Sequence, residues 1–105
     1  MDAYIIVLTT FGSKEEAQKV TDKLLKARLI ACANIIDKVD SFFHWQGKIE
    51  NEQEALAILK TQKKHLDELF EWIQTHHSYS VPEILALPIF RGSSEYLNWI
   101  KEETT

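Results

Sequence analysis

Cysteine occurs once in the 105 residues, at Cys32, so no internal disulfide can form and a thiolate-rich zinc site is excluded. A lone thiolate can still supply one metal ligand or pair across subunits. Proline occurs twice and glycine three times, at Gly12, Gly47 and Gly92, which leaves no phosphate-cradling glycine loop and no low-complexity tract. Basic residues are also short, 12 against 16 acidic, for a net charge of −4 with no basic stripe, and this argues against nucleic acid and anionic membrane as partners. No apolar run approaches the roughly 20 residues that cross a bilayer. Met1-Asp2-Ala3-Tyr4 lacks the charged start of a secretory signal, so the expected compartment is the cytoplasm. Gly-x-Ser-x-Gly is missing and no nucleophile stands beside an evident base.

What is present is an ordinary folded composition, 45% hydrophobic and 27% charged, expected to form one domain over 1–105. Its organising stretch is Ile30 to Thr61. Two apolar arms, Cys32 to Trp45 and Gln53 to Thr61, fold back near Gln46-Gly47-Lys48, where Gly47 is free to take positive φ. Cys32 to Trp45 as a single strand would run roughly 45 Å at about 3.3 Å per residue, in a domain expected to be only about 33 Å across. Such a hairpin overhangs its own body. Carrying Ile35, Ile36, Phe42, Phe43 and Trp45, it needs cover, and partner subunits are the natural source. Asp37-Lys38-Val39-Asp40 leaves a second reading open, a loop that cuts the arm into two short strands.

Around this hairpin the remaining elements fall in order. Tyr4 to Leu8 reads as a strand covered on both faces. Ser13 and Glu16 form a capping box for a helix with Ala17, Val20, Leu24 and Ala27 on one face, ending near Arg28. Leu66, Leu69, Phe70 and Ile73 give a second helix to about His76, and Glu83 to Phe90 a fourth strand in which Pro88 calls for an edge or a bulge. Gly92-Ser93-Ser94-Glu95 opens a last helix with Tyr96, Leu97 and Ile100 buried and Trp99 partly so. The order predicts an α+β, ferredoxin-like βαββαβ fold with a long hairpin and an extra C-terminal helix.

His76-His77, at the end of the second helix, is the most suggestive pair for chemistry. Imidazoles ligate copper or zinc, but helical neighbours point about 100° apart and need a third ligand, while a histidine at a helix C-terminus is also what the dipole favours. Cys32 sits in an apolar strand where a thiol usually packs as a small hydrophobe; Lys60 on the facing arm would supply positive charge if the register brings it near. Trp45, His44 and Lys48 cluster at the hairpin tip, and Tyr79 with Glu83 makes a second polar-aromatic group. Both read as interface anchors, or as two walls of a pocket across a subunit boundary.

The segments Ala31-Cys32-Ala33-Asn34-Ile35-Ile36, Trp45-Gln46-Gly47-Lys48-Ile49-Glu50, Leu59-Lys60-Thr61, His77-Ser78-Tyr79-Ser80-Val81-Pro82-Glu83-Ile84 and Tyr96-Leu97-Asn98-Trp99 together resemble the CutA divalent-cation tolerance family. The resemblance implies a homotrimer of ferredoxin-like subunits, tolerance to divalent cations, copper binding in bacterial members and no enzymatic activity. It places the metal at His76 and His77 together with a cysteine at the end of the first strand, a position that is Thr9 here. A hydroxyl is a poor ligand for copper(I) and a weak one for copper(II). The family's His-Pro-Tyr becomes His77-Ser78-Tyr79, Cys32 matches its other cysteine, and Trp45, Lys60, Tyr79 and Glu83 are the expected lining of an intersubunit cleft. Expected partners are two further copies of the chain and a weakly held copper or other divalent cation. Two other readings stand beside this one: a module resembling the trimeric PII signalling proteins that binds a small anionic metabolite through Lys48 and Lys60, and a trimeric scaffold for other proteins.

Overall fold

The computed structural model describes residues 3–105. Its elements are β1 (Tyr4–Phe11), α1 (Lys14–Lys26), β2 (Cys32–Trp45), β3 (Lys48–Gln62), α2 (Leu66–His76, entered through one 3₁₀ turn at Lys63–His65), β4 (Ile84–Pro88) and α3 (Ser94–Glu103). The four strands form one antiparallel sheet in the order β2-β3-β1-β4. This is the predicted ferredoxin-like α+β arrangement. Proline at the end of β4 does sit on an edge strand.

One sheet face carries the core. Ile5, Val7 and Phe11 of β1 alternate with Ala55, Ala57 and Leu59 of β3, and α1 lays Ala17, Val20 and Leu24 on them while α2 adds Leu69 and Ile73. Leu24, Leu69 and Ile73 are fully buried, each side chain contributing about 1.5–3 kcal/mol of apolar burial. Ser13 caps α1 as expected, its Oγ accepting from Glu16 N at 3.1 Å. Glu16 uses its carboxylate elsewhere, as described below. At the other end of α1, Arg28 takes φ 59°, and its N–H and that of Leu29 bond back to Leu25 O and Leu24 O.

The opposite face, read from the same alternation, presents Ile6 and Leu8 of β1, Leu56 and Ile58 of β3, Ile36 of β2 and Leu85 and Leu87 of β4. No helix covers most of it. α3 closes one end, packing Ile100 and Leu97 against Tyr4, Ala31 and Ile89. Its C-terminus is pinned by Thr104, whose hydroxyl accepts from Gln62 Nε2 at 2.9 Å and donates to Ile100 O at 2.7 Å, while His65 Nε2 donates to the Thr104 carbonyl at 2.6 Å. Tyr96, expected to be buried, is 41% exposed, because it lies over the sheet edge rather than under the helix.

β2 is a single strand of 14 residues, and Asp37–Lys38 is a bulge rather than a loop: the register shifts between Ile36 and Val39, with Lys38 at φ 58°. β1 reaches three residues past its expected end because Thr9, Thr10 and Phe11 pair with Ala57, Leu56 and Ala55. β3 starts at Lys48, five residues before the expected Gln53, because the ladder with β2 continues to the Trp45–Lys48 pair. β4 is shorter than the expected Glu83–Phe90, since Pro88 ends it. β1 therefore supports β3 only over Ala55–Gln62, while Lys48–Glu54 pairs with β2 alone. That unsupported ribbon is roughly 23 Å long at 3.3 Å per residue, and it stretches the body to 44 × 26 × 23 Å. Phe42, Trp45 and Ile49 on it are 68%, 55% and 73% exposed.

The ribbon closes at Gln46 and Gly47 with φ 51° and 77°, the two positive values of a type I′ hairpin turn. Gly47→Val should lower stability in urea by about 1–2 kcal/mol, the cost of a side chain in left-handed backbone. An unchanged midpoint would mean that the turn is free to adopt another type and does not fix the register.

Candidate functional site

His77 lies just past the end of α2, where the backbone turns extended (φ −79°, ψ 143°) and sends the ring inward. The side chain is fully buried and stacks on Phe11, with ring centroids 4.5 Å apart and planes 8° from parallel. Nδ1 accepts from the Tyr79 backbone N–H at 3.0 Å, so the ring hydrogen is on Nε2, which donates to Thr10 O at 2.7 Å. Both nitrogens are thereby occupied. His76 differs: its ring is stacked on Trp72 at 3.7 Å and Nδ1 donates to Trp72 O at 2.8 Å, which leaves the Nε2 lone pair of an exposed imidazole open.

The loop after α2 is held by carboxylates. Glu16 accepts from Ser78 N at 2.9 Å and from Ser78 Oγ at 2.8 Å, and lies 3.9 Å from His77 Nδ1. Tyr79 stacks tilted on His77 and donates its hydroxyl to Glu54 Oε2 at 2.8 Å. Burial, the bond to Glu54 and the charges of Glu54, Glu52 and Glu16 all push the Tyr79 phenol up, well beyond its usual range. The phenol thus stays protonated and ties the loop to Glu54, the residue of the unsupported ribbon next to the body of the sheet. Ser78 supplies both the N–H and the hydroxyl that Glu16 binds.

Cys32 stands directly opposite Lys60 in the β2–β3 ladder, so the register does bring the lysine near. Lys60 Nζ donates to Asn34 Oδ1 at 3.0 Å and lies 5.7 Å from the Tyr96 ring centroid, while Cys32 Sγ is 3.4 Å from Tyr96 Oη. Lys60 pairs with Ile6 across β1, and His77 sits on Thr10, four residues further along. Cys32 is therefore about 13 Å along the sheet from the histidine pair, at 3.3 Å per residue. Within one chain they do not meet. Among the described residues no group of three or more histidine, cysteine, aspartate or glutamate side chains is placed to hold a metal ion. Thr9 offers nothing either: its hydroxyl points into the core beside Val7 and Phe11, fully buried and without a partner.

The four expected cleft residues are likewise spread out. Trp45 is at the hairpin tip, Lys60 at the α3 end, Tyr79 beside Glu54, and Glu83 is exposed just before β4. Lys48 is twelve residues from Lys60 along β3, about 40 Å at 3.3 Å per residue. The sequence did not reveal Glu16, Asn34, Glu54 and Tyr96 as partners, because each contact joins residues far apart in the chain. Only the helix cap at Glu16 was a visible signal.

This chain matches the model of the family described as CutA1 divalent ion tolerance protein over residues 5–103. The chain belongs to the CutA1 family. The divalent-cation tolerance protein CutA of Thermus thermophilus is 41% identical over 99 residues, covering 94% of this chain and 96% of that one. The chloroplastic CutA of Arabidopsis thaliana is 38% identical over 100 residues, 95% of this chain but 55% of its own length, so this chain spans about half of that plant relative. The CutA1 crystal structure from Pyrococcus horikoshii superposes with a TM-score of 0.92 at 46% identity, covering 96% of this chain and 98% of that one. CutA1 proteins are named for tolerance, not for a reaction. No helix among the described residues is long and apolar enough to cross a membrane.

The raised Tyr79 phenol has a consequence for stability at high pH. Unfolded tyrosine ionises near pH 10, and the folded group ionises later. The stabilisation is therefore complete below pH 10 and is lost as the pH rises above it, since only the unfolded chain then gives up the proton. Urea midpoints should fall from pH 10 upward in the wild type and fall less steeply in Tyr79→Phe. Parallel curves would disprove the role given to the Glu54 bond.

Proposed function

We propose that this chain is a one-domain cytoplasmic CutA1 protein that works as a homotrimer and contributes to divalent-cation tolerance by weak coordination of copper or zinc, without catalysis. The observation that carries the metal reading is the open Nε2 of His76 on the solvent side of α2. One imidazole is a weak site by itself, and among the described residues of a single chain no donor set encloses an ion. His77 can join only by giving up its bond with Tyr79 N or with Thr10 O. Weak, exchangeable binding follows from both facts.

Support for the trimer comes from the uncovered apolar sheet face and the overhanging ribbon, both of which a ring of identical copies covers without leaving an open end. Such a ring would also bring Trp45 of one copy toward residues of the next.

Calorimetric titration with copper(II) tests the metal reading. His76→Ala should weaken binding about tenfold or more, the loss of one imidazole ligand being worth at least about 1.4 kcal/mol. His77→Ala should cost mainly stability. Unchanged affinity in the double variant would remove the histidine pair as the site.

A further inference from the structure

At one edge of the sheet, Phe90 stands fully exposed two residues past β4. Its backbone is held: the N–H of Ile89 donates to Tyr4 O at 2.9 Å, and the Ile89 side chain packs on Tyr4, Ala31 and Ile100. A whole phenyl ring is thus fixed in water, an unfavourable place for so large an apolar group. At the other edge, Leu25 of α1, Arg28, Ile30, Ala31, and Trp99 and Glu103 of α3 line a cavity of about 240 Å³. Four of these residues are apolar, and the other two form the exposed Arg28–Glu103 ion pair. An apolar cavity of about 150 Å³ is already enough to hold a benzene ring. Register puts ring and cavity at one height. Cys32 pairs with Lys60, Lys60 with Ile6 and Ile6 with Leu87, so Ile30 is level with Ile89, and Phe90 is one residue beyond. Pro88 pairs with Ile5 of the helix-side core, so alternation puts Phe90 on that same side, where Ile30 also lies.

We propose that Phe90 of each copy inserts its ring into the cavity formed by Leu25, Ile30, Ala31 and Trp99 of the next copy. β2 and β4 are the two edges of the sheet, and a closed ring of identical chains sets unlike edges side by side, β4 of one copy against β2 of the next. Within one chain the two parts do not meet, being three strand spacings apart, about 14 Å across the sheet. A second copy is the occupant because knob and cavity agree in size, height and side of the sheet, and a head-to-tail ring fills every cavity it contains. An aromatic anchor in an apolar pocket bordered by a charged pair is also how binding energy concentrates at an interface. The proposal rests on the trimer reading and adds to it the residues that meet on the helix side.

A double-mutant cycle on the full chain tests the contact, with the loss of oligomer mass on dilution, in a fixed concentration of urea, followed by light scattering. Both Phe90 and Leu25 are exposed in the single chain, so truncating them leaves its core intact. Phe90→Ala should raise the concentration at which the oligomer dissociates about tenfold or more, and Leu25→Ala several-fold. In the Phe90→Ala background, Leu25→Ala should change nothing further, because the cavity is then already empty. Wild-type dissociation in Phe90→Ala, or effects of the two substitutions that simply add, would overturn the proposal while a trimeric wild type keeps the earlier reading. A wild type with the mass of one chain would overturn both. If Phe90→Ala abolishes the oligomer outright, Phe90→Leu, which still fills the cavity, should restore it, and failure to do so overturns the proposal.

Discussion

The β2–β3 ladder outruns the sheet that supports it, and the rest of the molecule answers to that fact. Two long strands give β3 a partner on one side throughout but on the other side only as far as β1 extends, from Ala55 onward. Beyond that point backbone hydrogen bonds are satisfied within the ribbon while its side chains have nothing to pack on. A two-stranded ribbon is marginal in water by itself. The same body leaves one sheet face bare of helices, with α3 covering only the end where Tyr4, Ala31 and Ile100 meet.

That asymmetry also decides where chemistry can occur. The supported part of the sheet holds two separate polar groups, about 13 Å apart along the strands. At the end of β1, Glu16, Ser78, His77, Tyr79 and Glu54 form a chain of bonds that fixes the loop after α2 and uses up both nitrogens of His77. At the α3 end, Lys60, Asn34, Cys32 and Tyr96 form the other. His76 belongs to neither group, held by Trp72 with one nitrogen open. The two adjacent histidines therefore differ: both ring nitrogens of His77 are bonded, while His76 has one bonded and one open.

Much of this could be read from the residues. Gly47 marked the turn, Ser13 the start of α1, Pro88 an edge strand, and the length of Cys32 to Trp45 the overhang, because each is a local rule that needs no distant partner. The bulge could not be placed as firmly: Asp37–Lys38 is equally polar in a loop, and only the pairing of Ile36 with Leu56 and of Val39 with Glu54 distinguishes the two. Tyr96 was misread for a similar reason. Helical spacing puts it on the apolar stripe of α3, but the helix meets the sheet at an end, where Ile100 reaches the core and Tyr96 meets Cys32 instead. The state of His77 was out of reach of any local pattern, since Phe11, Thr10 and Glu16 converge on it from more than sixty residues away.

A ribbon and a sheet face this apolar call for cover, which the proposed trimer supplies with copies of the same chain. Light scattering on the protein at micromolar concentration measures this directly. A mass about three times the 12.2 kDa of one chain is expected, holding on dilution until the fold itself is lost. A well-folded species of 12.2 kDa, stable at that concentration, would contradict it.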